Sequence, residues 1–478
     1  MAIKKGQTVE LRVSDIAFGG KGLARVDGMA VFVDGAVPLD LVDARIIKKK
    51  KSYAEARIIS IKEPSPYRID PPCMYSGYCG GCKWQFLAYD RQLEFKQRHV
   101  IDSIEHIGLI HDPVVHKTIP SSRIFEYRNK MEFTCSDRKW LLPDEMDKKD
   151  IAAGFAIGLH VPGTFNKVLD TRACLLQPKL GNHILEDVRN YIKNSKISVY
   201  NLYSHTGFWR FLMLRHSAAY DQWMVNIITS AEDKKILQPL AGLLMDKYPG
   251  IVSVVNNITA RRAGVAIGEY EILLAGALCI KDKIGSCEFE ISANSFFQTN
   301  TRGAEQLFRT VREYAGLSGK EIVLDLYSGT GAISIFLADS AKEIIGIEMA
   351  ASAVTDAQNN CKKNMISNCR FIHGDIKDRL PQVAAMPDVM IIDPPRAGMH
   401  KAVVKHVLEI EPEKIVYVSC NPATMARDLG LMKDKYNLLE VQPVDMFPHT
   451  YHIESVAKLV KKVQGFRGSG FRGSGFRG

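Results

Sequence analysis

Apolar and polar residues alternate along the first sixty positions, with glycines breaking the runs. Val9-Glu-Leu-Arg-Val, Met29-Ala-Val-Phe-Val and Leu41-Val-Asp-Ala-Arg-Ile-Ile read as short strands, with turn signals such as Gly19-Gly-Lys-Gly between them. That rhythm predicts a small OB-like β-barrel over residues 1–62. Pro64, Pro66, Pro71 and Pro72 stiffen the chain beyond it. A helical period runs from Tyr89 to Ile107, and a mainly β stretch from Phe125 to Cys287 carries helices near 181–193 and 231–248. Beyond Phe289, strands at Ile322–Leu326, Ile344–Glu348, Phe371–His373, Val389–Asp393 and Ile415–Ser419 alternate with helical segments. Such alternation predicts a doubly wound parallel sheet, which binds ligands at the carboxyl ends of its strands. The expected fold class is therefore multidomain α/β: a barrel (1–62), a central mainly β domain (63–287) and a doubly wound domain (288–464). The repeats of Gly-Phe-Arg-Gly-Ser over 465–478 cannot bury a core and are expected to be disordered.

Composition adds a direction to this picture. With 46% hydrophobic and 24% charged residues the chain reads as soluble and globular. No apolar run approaches the ~20 residues that span a bilayer, and no apolar stretch follows the first lysines as a secretory signal requires. A cytoplasmic monomer with no membrane partner is expected. Net charge is +10, and residues 1–62 hold twelve Lys/Arg against seven Asp/Glu. Arg467, Arg472 and Arg477 add to the excess at the other end. A basic excess gathered in small modules suggests a polyanion, although charge alone is equally consistent with a solvated basic surface.

Candidate chemistry begins at Asp325-Leu-Tyr-Ser-Gly-Thr-Gly331, which closes one strand and opens a helix. Its glycines let the backbone approach a nucleotide-like ligand closely. Glu348 ends the next strand, where a carboxylate can accept from both ribose hydroxyls. A dinucleotide site would look similar, but Ser334 stands where its third glycine belongs. Asp375 ends the third strand and reads either as a partner of an adenine amino group or as a helix cap.

Two further motifs fall on the same sheet edge. Asp393-Pro-Pro-Arg396 follows the fourth strand and Ser419-Cys-Asn-Pro422 the fifth. A lone cysteine after a strand is usually packing; beside a cofactor loop it reads as a nucleophile. Carbon 5 of uracil is a poor nucleophile until a thiolate adds at carbon 6, so Cys420 suits that chemistry, and Arg396 is expected to favour its thiolate. Glu454, in His449-Thr-Tyr-His-Ile-Glu454, is the candidate base for the carbon 5 proton. Cytosine methylation with two cysteines would place one beside Asp-Pro-Pro, where this chain has none.

These motifs, together with Phe289-Glu-Ile-Ser-Ala-Asn-Ser-Phe-Phe-Gln298, resemble the RNA 5-methyluridine methyltransferase family in order and spacing over residues 1–464. The resemblance implies S-adenosylmethionine as cofactor and a class I methyltransferase domain. It places Gln298, Tyr327 and Glu348 at the cofactor, Gln298 also at the target base, and Asp393 at the uracil. It makes the barrel resemble a TRAM domain, which in related enzymes binds RNA. At least one of Phe296 and Phe297 reads as a core aromatic.

Cys73-x(5)-Cys79-x(2)-Cys82 gathers three thiols on a glycine-rich turn and needs a fourth. From spacing alone Cys135 serves as well as Cys174; the family resemblance points to Cys174 and to a structural [4Fe-4S] cluster, with zinc second. Cluster motif and TRAM together resemble the ribosomal branch, so 23S ribosomal RNA is the expected partner and transfer RNA the alternative. An RNA-binding or chaperone protein on the same fold is a further alternative, which leaves Cys420 and Glu454 without work. Cys279, Cys287, Cys361 and Cys369 have no partners in sequence and read as buried hydrophobes.

Overall fold

The computed structural model describes residues 3–146, 154–262, 264–383 and 385–463. The Gly-Phe-Arg-Gly-Ser repeats lie outside the described residues.

Six strands form the N-terminal barrel: β1 (Thr8–Arg12), β2 (Asp15–Ile16), β3 (Gly22–Val26), β4 (Met29–Asp34), β5 (Leu41–Lys49) and β6 (Tyr53–Glu63). Their order is β1-β5-β6-β4-β3-β2. Because β1 and β2 are successive parts of one stretch, pairing with β5 at one end and β3 at the other closes the sheet on itself. Closure removes exposed edges. Small side chains such as Ala24, Ala44, Ala54 and Ala56 fit the narrow interior.

The central unit holds β7 (Lys130–Ser136), β8 (Ala156–Gly158), β9 (Trp209–His216), β10 (Trp223–Thr229), β11 (Ile251–Ile258) and β12 (Tyr270–Gly276), ordered β12-β11-β10-β9-β7-β8. The expected mainly β character holds for the sheet, but β10 and β11 are parallel. A parallel pair needs a crossover, and the helix Lys234–Lys247 supplies it, capped by Asp233 through the backbone N–H groups of Lys235 and Ile236. That helix and Lys179–Ser195 pack their apolar stripes into one core with Phe133, Leu212 and Val225 of the sheet. A hairpin of β13 (Cys279–Ile284) and β14 (Cys287–Ser292) runs across residues 287–288, and its buried side belongs to the core of the C-terminal unit.

The C-terminal sheet contains β15 (Ile322–Leu326), β16 (Glu343–Glu348), β17 (Cys369–His373), β18 (Val389–Ile392), β19 (Lys414–Ser419), β20 (Tyr436–Val444) and β21 (Glu454–Lys461). Its order is β17-β16-β15-β18-β19-β21-β20. The first five in that order are parallel, and β21 runs antiparallel to both of its neighbours. Alternate side chains enter two cores. Val323, Val389 and Val416 face the helix Thr301–Ala315, whereas Leu324, Met390 and Ile415 meet Val403, Met425 and Leu429 on the other side. Being buried on both faces explains why these strands read as unbroken apolar runs. The winding reverses between β15 and β18, which opens a crevice at their carboxyl ends.

The helix Tyr89–His106, far upstream, packs against this C-terminal unit through Val100 and Ile104. Fully buried Lys96 donates to Asp445 at 2.6 Å and to the Phe447 carbonyl at 3.0 Å. Tyr89 donates to the other Asp445 oxygen at 2.9 Å.

Candidate active site

A cavity of about 1040 Å³ lies where the central and C-terminal units meet. At the β15 end, the chain leaves the strand through Tyr327, whose φ of 64° is left-handed, and through Gly329 and Gly331 at 54° and 73°. A left-handed tyrosine costs conformational energy and persists where a site requires it. The turn aims the Gly329 N–H at the Glu348 carboxylate (3.0 Å), and the Ala350 N–H holds the other oxygen (2.7 Å). Glu348 is thereby fixed in the cavity wall. The Ser328 hydroxyl also lines the cavity, buried and without a hydrogen-bond partner among the described residues, as a polar ligand would require.

Ser334 donates to Asp325 at 2.5 Å. The residue that broke the dinucleotide pattern thus holds a buried carboxyl of the strand itself. Burial pushes Asp325 up to about 7, with the Ser334 hydrogen bond pulling down and Asp393 and Glu348 adding repulsion. Asp325 lines the cavity; sequence reading took it only as the end of a strand, and its flanking apolar run was the available sign of burial. Asp375 also lines the cavity, and it caps the short helix Ile376–Arg379 by accepting from the Lys377 N–H. The Lys377 ammonium at 3.0 Å holds its carboxyl below the ordinary value.

The reacting end is set by strand register. Ser419 of β19 lies opposite Ser455 of antiparallel β21. One residue further, Cys420 and Glu454 therefore leave facing ends of neighbouring strands, and both line the cavity with Asp393. Asn421 caps the helix Pro422–Met432 through the Ala423 N–H, and its side-chain amide donates to the Arg396 carbonyl at 3.1 Å. Thr424 donates to the same carbonyl at 3.2 Å. Asn421, which the sequence marked only as part of the Cys420 motif, and Thr424 lock the Cys420 turn to the Asp-Pro-Pro-Arg turn.

Burial dominates the electrostatics of this end. It pushes Asp393 up to about 6 and Glu454 well above its ordinary value. It also pushes the Cys420 thiol up to about 11, with Glu454 adding to the rise and Arg396 opposing it. The expectation that Arg396 favours the thiolate is right in sign, but desolvation outweighs it in the free protein. His452 beside them falls to about 4, by burial and then by the nearby cations Arg396, Lys96 and Arg128.

Gln298 lines the same cavity, and its carbonyl accepts from the Asn129 side chain at 2.8 Å. Phe297 is buried in the core, whereas Phe296 is 67% exposed at the cavity wall. Cys73, Cys79, Cys82 and Cys174 line this same cavity. Cys79, Cys82 and Cys174 are raised chiefly by burial and also by other thiols of this set, whereas Cys135 is raised by burial alone in another part of the core. Among the described residues, no three Cys, His, Asp or Glu side chains converge tightly enough to hold one metal ion. The loop that carries Cys82 is tied to the Glu454 segment, because the Lys83 and Trp84 N–H groups both donate to the His449 carbonyl at 2.9 Å. His449 is itself left-handed, donates its backbone N–H to the Gln92 side-chain oxygen at 2.8 Å, and stacks on Phe125 at 4.4 Å.

Residues 317–459 match a methyltransferase domain, residues 253–378 match the tRNA (Uracil-5-)-methyltransferase family, and residues 3–59 match the TRAM domain. An uncharacterized RNA methyltransferase of Chlorobaculum tepidum is 42% identical over 465 residues, covering 95% of this chain and 96% of its own. One of Bacteroides thetaiotaomicron is 41% identical over 456 residues, covering 93% and 99%. The crystal structure of Pyrococcus abyssi tRNA (uracil-54, C5)-methyltransferase with S-adenosyl-L-homocysteine aligns at a TM-score of 0.74 and 28% identity, covering 95% of this chain and 100% of that one. The chain belongs to the RNA (uracil-5-)methyltransferase family.

As an S-adenosylmethionine-dependent RNA (uracil-5-)methyltransferase, it carries its cofactor-binding domain where the doubly wound pattern predicts it and a TRAM domain where the barrel pattern does. None of the methyltransferase's described helices is long and apolar enough to cross a membrane. Cys361, which lacks a partner in sequence, is buried in the core of its C-terminal unit, and Cys369 packs against that core and donates its thiol to the Ser334 carbonyl at 3.7 Å.

Proposed function

We propose that this methyltransferase adds a methyl group to carbon 5 of one uridine in 23S ribosomal RNA, with Cys420 as nucleophile and Glu454 as base. The observation that carries the reading is the register of β19 and β21, which sets the thiol and the carboxyl on facing strand ends in one cavity. Gln298 and Asp393 line that cavity with hydrogen-bonding groups suited to the edge of a uracil. Asp393, raised towards neutrality, can donate as well as accept. S-adenosylmethionine, when bound along Tyr327, Glu348 and Asp375, supplies an electrophilic methyl group and leaves as the neutral thioether. The orphaned Ser328 hydroxyl and the fixed Glu348 carboxylate fit a nucleoside there.

Cys420 gives up its thiol proton to solvent, its Sγ adds to carbon 6 of a base taken out of its stack, and the ring electron pair moves to carbon 5, which takes up the methyl group. Glu454 then accepts the proton from carbon 5; the electron pair left behind restores the 5,6 double bond and expels the thiolate. Desolvation keeps Glu454 a strong enough base for that proton once it is ionised.

Cys73, Cys79, Cys82 and Cys174 would hold a [4Fe-4S] cluster, cross-linking the Cys82 loop to the central sheet. That the four thiols line one cavity, together with the family resemblance of their spacing, supports this reading, and zinc is the second one. The likeness to a tRNA methyltransferase structure supports transfer RNA as the second reading. A tritium-release assay on 23S transcript and on unmodified transfer RNA, both carrying 5-tritiated uridine, tests the reading. Release from the 23S transcript is expected, and Cys420→Ala should abolish it while S-adenosylmethionine still binds. Release from transfer RNA alone would reassign the substrate, and turnover by Cys420→Ala would sink the mechanism.

A further inference from the structure

The wall of the cavity contributed by the central unit is cationic without a matching set of acids. Arg128 and Lys130, at the entry to β7, both line it together with Phe296 and Cys420. Arg128 Nε is used on the Lys130 carbonyl at 3.0 Å, and no carboxylate pairs with its guanidinium among the described residues. Lys130 is paired with Glu132 at 2.7 Å. Behind them, buried Arg215 donates to the Ala293 and Ser295 carbonyls rather than to an acid. Arg128 and Lys130 therefore share this wall with one acid, Glu132, and Arg215, opposite Lys130 in the strand register, adds a further cation outside the cavity lining. The stretch is held firmly: the Arg128 N–H donates to the Leu176 carbonyl at 2.8 Å, and Asn129 anchors the Gln298 carbonyl and Thr301.

A half-buried guanidinium without a counter-charge is costly and is retained where a ligand completes it. The RNA that brings a uracil to Cys420 must pass its sugar–phosphate chain over this wall, and each nucleotide carries one anionic phosphodiester. A planar guanidinium fork suits such an oxyanion better than a point charge does. We propose that Arg128, assisted by Lys130, binds a backbone phosphate of the RNA strand carrying the target uridine. This rests on the proposed reaction at Cys420. The other partner in reach is the cysteine set, since Arg128 pulls Cys174 down against the burial that raises it.

The test compares wild type, Arg128→Gln, Arg128→Lys and Lys130→Gln, each with its full chain and metal complement. RNA affinity is measured at several salt concentrations on 23S transcript and unmodified transfer RNA, beside S-adenosylhomocysteine affinity, iron content and steady-state kinetics. Arg128→Gln should weaken binding roughly tenfold or more and reduce the slope of log affinity against log salt by about 0.7. KM should rise with kcat within about twofold, and cofactor affinity and iron should be unchanged. Arg128→Lys should keep the slope but recover only part of the affinity. Unchanged affinity and slope in Arg128→Gln would overturn the proposal. So would loss of iron with RNA binding intact, which would make Arg128 a partner of the cysteine pocket. If wild type turns over neither RNA, the proposed reaction fails, and the salt slopes still decide the subsite.

Discussion

Replacing Arg396 by Gln should make Cys420 slower to alkylate, and the pH dependence of labelling shows why. In the free protein the thiol stands at about 11 against an ordinary 9.0, raised by burial first and by Glu454 second, with Arg396 the cation that pulls it back. Only the thiolate reacts. At pH 8 a thiol at about 11 is about one part in a thousand ionised, whereas one at its ordinary value is about one part in ten. Iodoacetamide should therefore label the Ile415–Arg427 tryptic peptide roughly a hundredfold more slowly than a free thiol. The rate should climb about tenfold per pH unit from 7 to 10. Removing Arg396 raises the thiol further, so labelling falls at every pH in that range. Quantifying the peptide by mass spectrometry separates Cys420 from the other cysteines, and the slope with pH does not depend on reagent access. A plateau below pH 9 in wild type, or faster labelling in Arg396→Gln, would refute the dominance of desolvation.

Asp325→Asn should raise the melting temperature more at pH 8 than at pH 5. A carboxyl held at about 7 in the folded state favours folding while protonated, and that contribution is lost as pH rises from about 4 through about 7; equal shifts at both pH values would count against it. Lys96→Met leaves Asp445 buried without its cation and should cost about 3–5 kcal/mol in urea unfolding. Lys96→Met with Asp445→Leu should cost less, and a loss below about 1 kcal/mol in the single variant would show the pair to be idle. Cys174→Ser should lose iron from anaerobically purified protein whereas Cys135→Ser retains it, and the reverse would move the fourth ligand to Cys135.

Periodicity made the barrel and the doubly wound sheet readable, because each strand carries its own burial pattern: alternating where one face is wet, unbroken where both are covered. The turn Asp325–Gly331 and the motifs around Asp393, Cys420 and Glu454 were equally legible, since turns and capped strand ends are written locally in glycine, proline and asparagine. What pairs across the fold was not. The facing of Cys420 and Glu454 depends on antiparallel register between β19 and β21, which thirty-four intervening positions do not encode locally. The helix Tyr89–His106 reads as an ordinary amphipathic element, and only packing reveals that Lys96 belongs to Asp445 in the C-terminal unit. Likewise no spacing rule distinguishes Cys174 from Cys135; both are buried cysteines in the central unit, and the loop that returns beside Cys79 brings only one of them to the cavity wall. Charge state was furthest out of reach. Arg396, on the same sheet edge as Cys420, argues for a thiolate when only nearby charges are counted. Desolvation scales with everything packed around the group, and only the assembled fold shows that it outweighs one arginine.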